Sequence, residues 1–140
     1  MLFRSRLLQQ VGIAPVIDNA RAMGIHEELP YDLSLALGSG GVTMMEMLSA
    51  YSVFANDGVQ TAPYAVASIT DDSGHIVYQR DDDVIVSGNR VFDSDLVQKM
   101  DEMLEDVVNN GTGRRAKLPF YAAGKTGTSQ DFHEIGRAHV

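Results

Sequence analysis

The chain has 140 residues, 44% hydrophobic and 21% charged, so it is about the size of one soluble globular domain and can bury a core. Nineteen acidic against 11 basic residues give a net charge of -8, which argues against nucleic acid as a partner; Arg114-Arg115 with Lys117 is a small cluster that reads as a solvated loop. There is no cysteine, which excludes disulfides and thiolate metal sites, the scattered His26, His75, His133 and His139 lack ligand spacing, and no apolar run reaches the ~18 residues that span a bilayer.

Residues 6–12 predict the last turns of a helix closed by Gly12, and Pro15 opens a short helix that runs to Met23 and stops at Gly24. Leu29-Pro30 begins an irregular stretch ending in Gly38-Ser39-Gly40-Gly41. Thr43-x-x-Glu46 is a capping-box pattern. It starts an amphipathic helix in which Met44, Met47, Leu48, Tyr51, Phe54 and Ala55 recur at helical spacing, its methionines read as gap-filling core, and Asn56-Asp57-Gly58 ends it. Residues 64–70 read as a strand, Asp71-Asp72-Ser73-Gly74 as a turn and 75–79 as the returning strand. Asp81-Asp82-Asp83 reads as a solvated loop edge, because a calcium loop would need the rest of its ligand pattern, and Val84-Ile85-Val86 fits strand or loop. Residues 94–109 form the second clear helix, with Leu96, Val97, Met100, Met103, Leu104, Val107 and Val108 on one stripe. Asn109-Asn110-Gly111-Thr112-Gly113 breaks it, and 120–128 is predicted to be a strand of small residues. No repeat and no internal linker divides the chain.

That last segment carries the most chemistry, in Lys125-Thr126-Gly127-Thr128. Lys125 supplies positive potential, the hydroxyls of Thr126 and Thr128 can bind a carboxylate, Gly127 lets a substrate lie against the backbone, and the Thr128 N–H can face a developing oxyanion. Gly124-Lys125-Thr126 also ends like a phosphate-binding loop, but that motif needs glycine where Pro119 stands, and the residues after it are a poor helix start.

The tetrad resembles the K-T-G element of the penicillin-recognising serine acyltransferases. Together with Leu7-Leu8-Gln9-Gln10-Val11-Gly12-Ile13, Ser34-Leu35-Ala36-Leu37-Gly38, residues 42–58 and residues 107–116, it resembles the transpeptidase domain of class A, bifunctional penicillin-binding proteins, over residues 6–133. The resemblance implies an α+β fold in which an antiparallel sheet carrying the K-T-G strand packs with helices. It implies a peptidoglycan D,D-transpeptidase: a serine attacks the penultimate D-alanine of a stem peptide, D-alanine leaves, and an amine of a neighbouring stem takes the acyl group. Stem peptides and beta-lactams are the implied partners, Lys125, Thr126, Gly127 and Thr128 the implied substrate-binding residues, and no cofactor or metal is implied. The Gly111-Thr112-Gly113 loop is implied to shape the cleft. The parent protein is implied to be membrane-anchored and to act on the outer face of the bacterial cytoplasmic membrane.

The sequence departs from that pattern in two respects. No serine is followed by lysine three residues on, and no S-x-N precedes the first helix, so this chain offers no catalytic nucleophile and reads as an incomplete, catalytically inert part of the domain. Residues 1–5 and 135–140 read as non-native ends, since they translate a common sequencing adapter and its reverse complement. Three other readings remain open: a D,D-carboxypeptidase or class B transpeptidase of the same superfamily, a non-catalytic peptidoglycan-binding pseudo-enzyme, and a translation never made as a protein.

Overall fold

A computed structural model describes residues 2–81 and 88–127. Helix α1 (Leu2–Val11) is followed by α2 (Ile13–Ala22), a short 3-10 helix (Leu33–Leu37), α3 (Met44–Ala55), strands β1 (Ser68–Thr70) and β2 (Ile76–Gln79), α4 (Ser94–Asn109) and a 3-10 turn (Arg114–Ala116). The architecture is α+β: helices with a two-stranded antiparallel sheet. α1 packs on α2 and on the first 3-10 helix, and α3 packs on α4.

The helix boundaries follow local chemistry. The capping box forms as the sequence predicts: the Glu46 N–H donates to Thr43 Oγ1 at 3.2 Å, and Glu46 Oε2 accepts from the Thr43 N–H at 2.9 Å. Glu46 does more than close the box, because its other oxygen, Oε1, accepts the backbone N–H groups of His26 and Glu27 at 2.7 and 2.9 Å. These bonds, led by those to Thr43 and then His26, hold the Glu46 carboxyl at about 2, below its usual 4.5. One carboxylate thus ties the segment after α2 to the start of α3.

The junction of α3 with α4 rests on close backbone approach. Gly58, at φ 83°, donates to Val53 O at 2.7 Å, while its own carbonyl accepts from Val91 at 2.7 Å and Phe92 at 3.2 Å. A β-carbon there would stand 2.1 Å from Phe92 O, so only glycine fits. Phe92 stacks on Phe54 with ring centroids 6.1 Å apart. Arg90 Nη1 donates to the carbonyls of Asp57 and Phe92, and Asp57 Oδ2 accepts from the Ser94 hydroxyl at the start of α4.

Several expectations are corrected. The stripe assigned to the core of α3 is not its buried face: Met44 is 74% exposed and Leu48 52%, whereas Ser49, Ala50 and Val53 are buried. α3 is apolar on more than one side, so periodicity alone does not choose the face, and the small residues win because they admit neighbours closely. Ser49 illustrates this: its hydroxyl donates to Met23 O and accepts from Gln60 Nε2, both at 3.3 Å. The irregular stretch after Pro30 contains the first 3-10 helix, capped by Asp32, whose carboxylate accepts from the Ser34 N–H. β1 is shorter than the predicted strand, with an irregularity between Ile69 and Thr70. Residues 120–127 form no strand and lie outside the sheet, so among the described residues the sheet does not carry Lys125, Thr126 or Gly127. The physical reason is that this segment's anchoring bond goes to a helix, Gly124 N to Leu104 O at 3.2 Å, and not to a strand ladder. Thr128, Asp82, Asp83, Val84-Ile85-Val86 and the predicted non-native stretch 135–140 lie outside the described residues.

Candidate functional site

α4 positions the site. Its apolar stripe buries Val97 and Val108, and the small side chains of Ala122 and Ala123 are buried with them, leaving Gly124 buried as well. Lys125, Thr126 and Gly127 then emerge exposed, side by side in the chain. The sequence-predicted approach of small residues to the tetrad therefore has a clear use: it lets the backbone sit down on α4 and delivers the polar residues to the surface at a fixed point.

α4 also places a second element. Beyond its last turn the Gly111 N–H donates to Asp106 O and the Gly113 N–H to Val107 O, both at 2.9 Å. β-carbons on Gly111 and Gly113 would come within 2.8 and 3.0 Å of Val107 backbone atoms, so the loop lies against the helix end only because both residues lack one. Thr112, held between them, brings its Oγ1 to 2.6 Å from Thr126 Oγ1.

Lys125 folds back along its own segment, with Nζ donating to Thr126 O at 2.8 Å. Among the described residues no carboxylate pairs with it. The result is an exposed ammonium next to a pair of linked hydroxyls, an arrangement suited to accept an anion such as a carboxylate. The exposed Arg114 and Arg115 come next in the chain after Gly113, so two further cations lie close to Thr112 in sequence. The other side of the segment is different: Tyr121 has its phenol pushed up, first by burial and then by Asp101, Glu105 and Glu102 of α4. An open pocket of about 260 Å³ between α4 and residues 117–122 is lined by Glu105, Lys117 and Tyr121 among others, and it includes neither Thr112 nor Lys125.

Of the residues predicted to bind substrate, the structure places Lys125, Thr126 and Gly127 together on the surface, and Thr128 lies outside the described residues. The hydroxyl contact from Thr112 is the feature that sequence reasoning missed. The two flanking glycines marked the loop as important, but a contact 14 residues apart has no local signal. Among the described residues no group of three or more His, Cys, Asp or Glu is arranged to hold a metal ion, and no helix is long and apolar enough to cross a membrane.

The sequence model of the penicillin binding protein transpeptidase domain matches residues 21–139. The chain is 35% identical over 129 residues to penicillin-binding protein 1A of Aquifex aeolicus, an alignment covering 91% of this chain and 17% of that protein. It is 31% identical over 135 residues to penicillin-binding protein 4 of Bacillus subtilis, covering 93% of this chain and 21% of that one. It thus spans about a fifth or less of the length of these curated relatives. Among solved structures, penicillin-binding protein PonA1 from Mycobacterium tuberculosis superposes with a TM-score of 0.73 at 19% identity, over 95% of this chain and 38% of that one, a likeness of fold.

Proposed function

Because the chain belongs to the penicillin-binding protein transpeptidase domain family, we propose that it is the carboxylate-gripping part of a peptidoglycan D,D-transpeptidase of the class A type. The single observation that carries this reading is the exposed Lys125-Thr126-Gly127 set on α4 by buried Ala122 and Ala123, with an ammonium that no carboxylate pairs among the described residues, beside linked hydroxyls. In the parent enzyme an acyl-serine forms on the penultimate D-alanine and is passed to an amine. The terminal D-alanyl carboxylate is held by Lys125, by Thr126 and by Thr128. Gly127 leaves the backbone open to the substrate, and the role assigned to the Thr128 N–H is to donate to the developing oxyanion. Beta-lactams carry a comparable carboxylate and occupy the same place. Residues 6–133 supply the native part of this domain, and residues 1–5 and 135–140 are foreign to it. The parent is anchored in the cytoplasmic membrane and works on its outer face.

The nucleophile is not among these 140 residues, since no serine has lysine three residues after it. The chain itself is therefore expected to form no covalent adduct. Incubation with fluorescent penicillin followed by denaturing electrophoresis tests this: an unlabelled band is expected, and a stable labelled band would overturn the assignment of roles. In the full-length enzyme, Lys125→Ala is expected to lower the second-order rate of penicillin acylation by about 100-fold, the scale of a lost charge-assisted contact. An unchanged rate would sink the reading.

A further inference from the structure

Resting on the reading above, we infer that Thr112 is a positioning residue for the substrate carboxylate, acting through the hydroxyl of Thr126. Their oxygens are 2.6 Å apart, so one hydroxyl donates and the other accepts. When Thr112 donates, its proton occupies a lone pair of Thr126, and the Thr126 proton is left to point at a ligand. A bound carboxylate can only accept, so it selects that order: Thr112 to Thr126 to anion. Hydrogen bonds in such a chain strengthen one another. Without Thr112 the Thr126 hydroxyl turns freely, and its proton spends part of its time on other acceptors.

The anchoring of both partners makes this a built arrangement. Gly111 and Gly113 clamp the Thr112 loop onto the end of α4 through Asp106 O and Val107 O, and Gly124 fixes the tetrad segment to the same helix through Leu104 O. Neither hydroxyl reaches the other through a long flexible side chain, and threonine's branched β-carbon limits its rotation. The cluster lies beside Lys125, whose ammonium donates to the Thr126 carbonyl. Thr112 is thereby tied to specificity for ligands bearing a carboxylate, not to the chemistry at the serine.

The test uses the full-length enzyme that carries this segment, with benzylpenicillin as probe, and resolves the pre-acylation dissociation constant from the acylation rate constant by stopped flow. Thr112→Val, which keeps the shape and removes the hydroxyl, is expected to weaken binding about tenfold and to leave the acylation rate constant within about twofold, the scale of one oriented hydrogen bond. Thr112→Ser is expected to restore binding. In a Thr126→Val background, Thr112→Val is expected to add nothing, because its only route to the ligand is gone. Unchanged binding in Thr112→Val, failure of serine to rescue, or effects that multiply in the double variant would each overturn the inference. Thr112→Ala is measured alongside, and if neither it nor Thr112→Val folds, the residue is structural and the inference falls. The Lys125→Ala result separates the two levels. If it is silent, the proposed function fails; if it is severe while Thr112→Val is silent, only this inference fails.

Discussion

The α3–α4 junction and the β1–β2 hairpin are both sewn by backbone hydrogen bonds, yet one is buried and the other is not. At the junction Val53 and Val97 are buried, and Gly58 threads its peptide between Val53 O and the N–H groups of Val91 and Phe92. In the hairpin every residue of both strands is exposed. Its turn is organised by one side chain, Asp71, whose Oδ1 accepts from the Ser73 N–H, the Ser73 hydroxyl and the His75 N–H. Arg80 extends the pairing by donating to Ala67 O and lays its guanidinium over the Tyr64 ring at 3.6 Å. The contrast teaches that hydrogen bonding alone does not say which region sets global stability. The buried apolar contact around the bonds decides it.

The most damaging way to test that contrast is Gly58→Ala. A new β-carbon would meet Phe92 O at 2.1 Å, with the backbone at φ 83°, so a loss of about 3 kcal/mol in urea unfolding is expected. A loss below about 1 kcal/mol would show that the junction yields and the contrast is overstated. Ser49→Ala comes next. It removes the donor to Met23 O and the acceptor for Gln60 Nε2 at a buried position, and about 1 kcal/mol is expected from the same measurement.

A third experiment follows from Glu46. Its folded-state pKa is depressed to about 2 from 4.5, so its contribution is fully present above pH 4.5 and is lost as pH falls from there to about 2. Glu46→Gln is expected to flatten the acid limb of the stability curve without abolishing it, because Asp32, Asp57 and Asp71 are also shifted down. An acid limb identical to wild type would contradict the bonding described for the start of α3. The smallest effect belongs to the hairpin: Asp71→Ala is expected to speed amide exchange at Ser73 and His75 and to leave the urea midpoint unchanged. A shifted midpoint would mean that the hairpin belongs to the cooperative core after all.

These regions also differ in how far they could be read from residues alone. The helix over 94–109 was legible to the residue, because its apolar stripe has charged residues opposite and a glycine-rich stop beyond. The start of α3 was legible through Thr43 and Glu46, whose reciprocal bonds span only three residues. The buried face of α3 was not, since Met44 and Leu48 satisfy the period as well as Ala50 and Val53 do, and only the approach of neighbours separates them. The tetrad's residue types pointed to an anion-binding segment, which stays a proposal, and the predicted strand for 120–128 did not form over its described part. A strand exists only through a partner's hydrogen bonds, and the bond from Gly124 runs to a helix carbonyl. Thr112 shows the same limit, since two glycines flag its loop while its contact with Thr126 depends on where α4 ends.

The amides of Gly113 and Gly124 donate to the carbonyls of Val107 and Leu104, neighbouring turns of one helix. A single fraying event at the carboxyl end of α4 therefore frees both the Thr112 loop and the Lys125–Gly127 segment at once, the two halves of the proposed grip. Their exchange protection should rise and fall in step, and any ligand that bridges them would draw its tightness from the resistance of that helix end to melting.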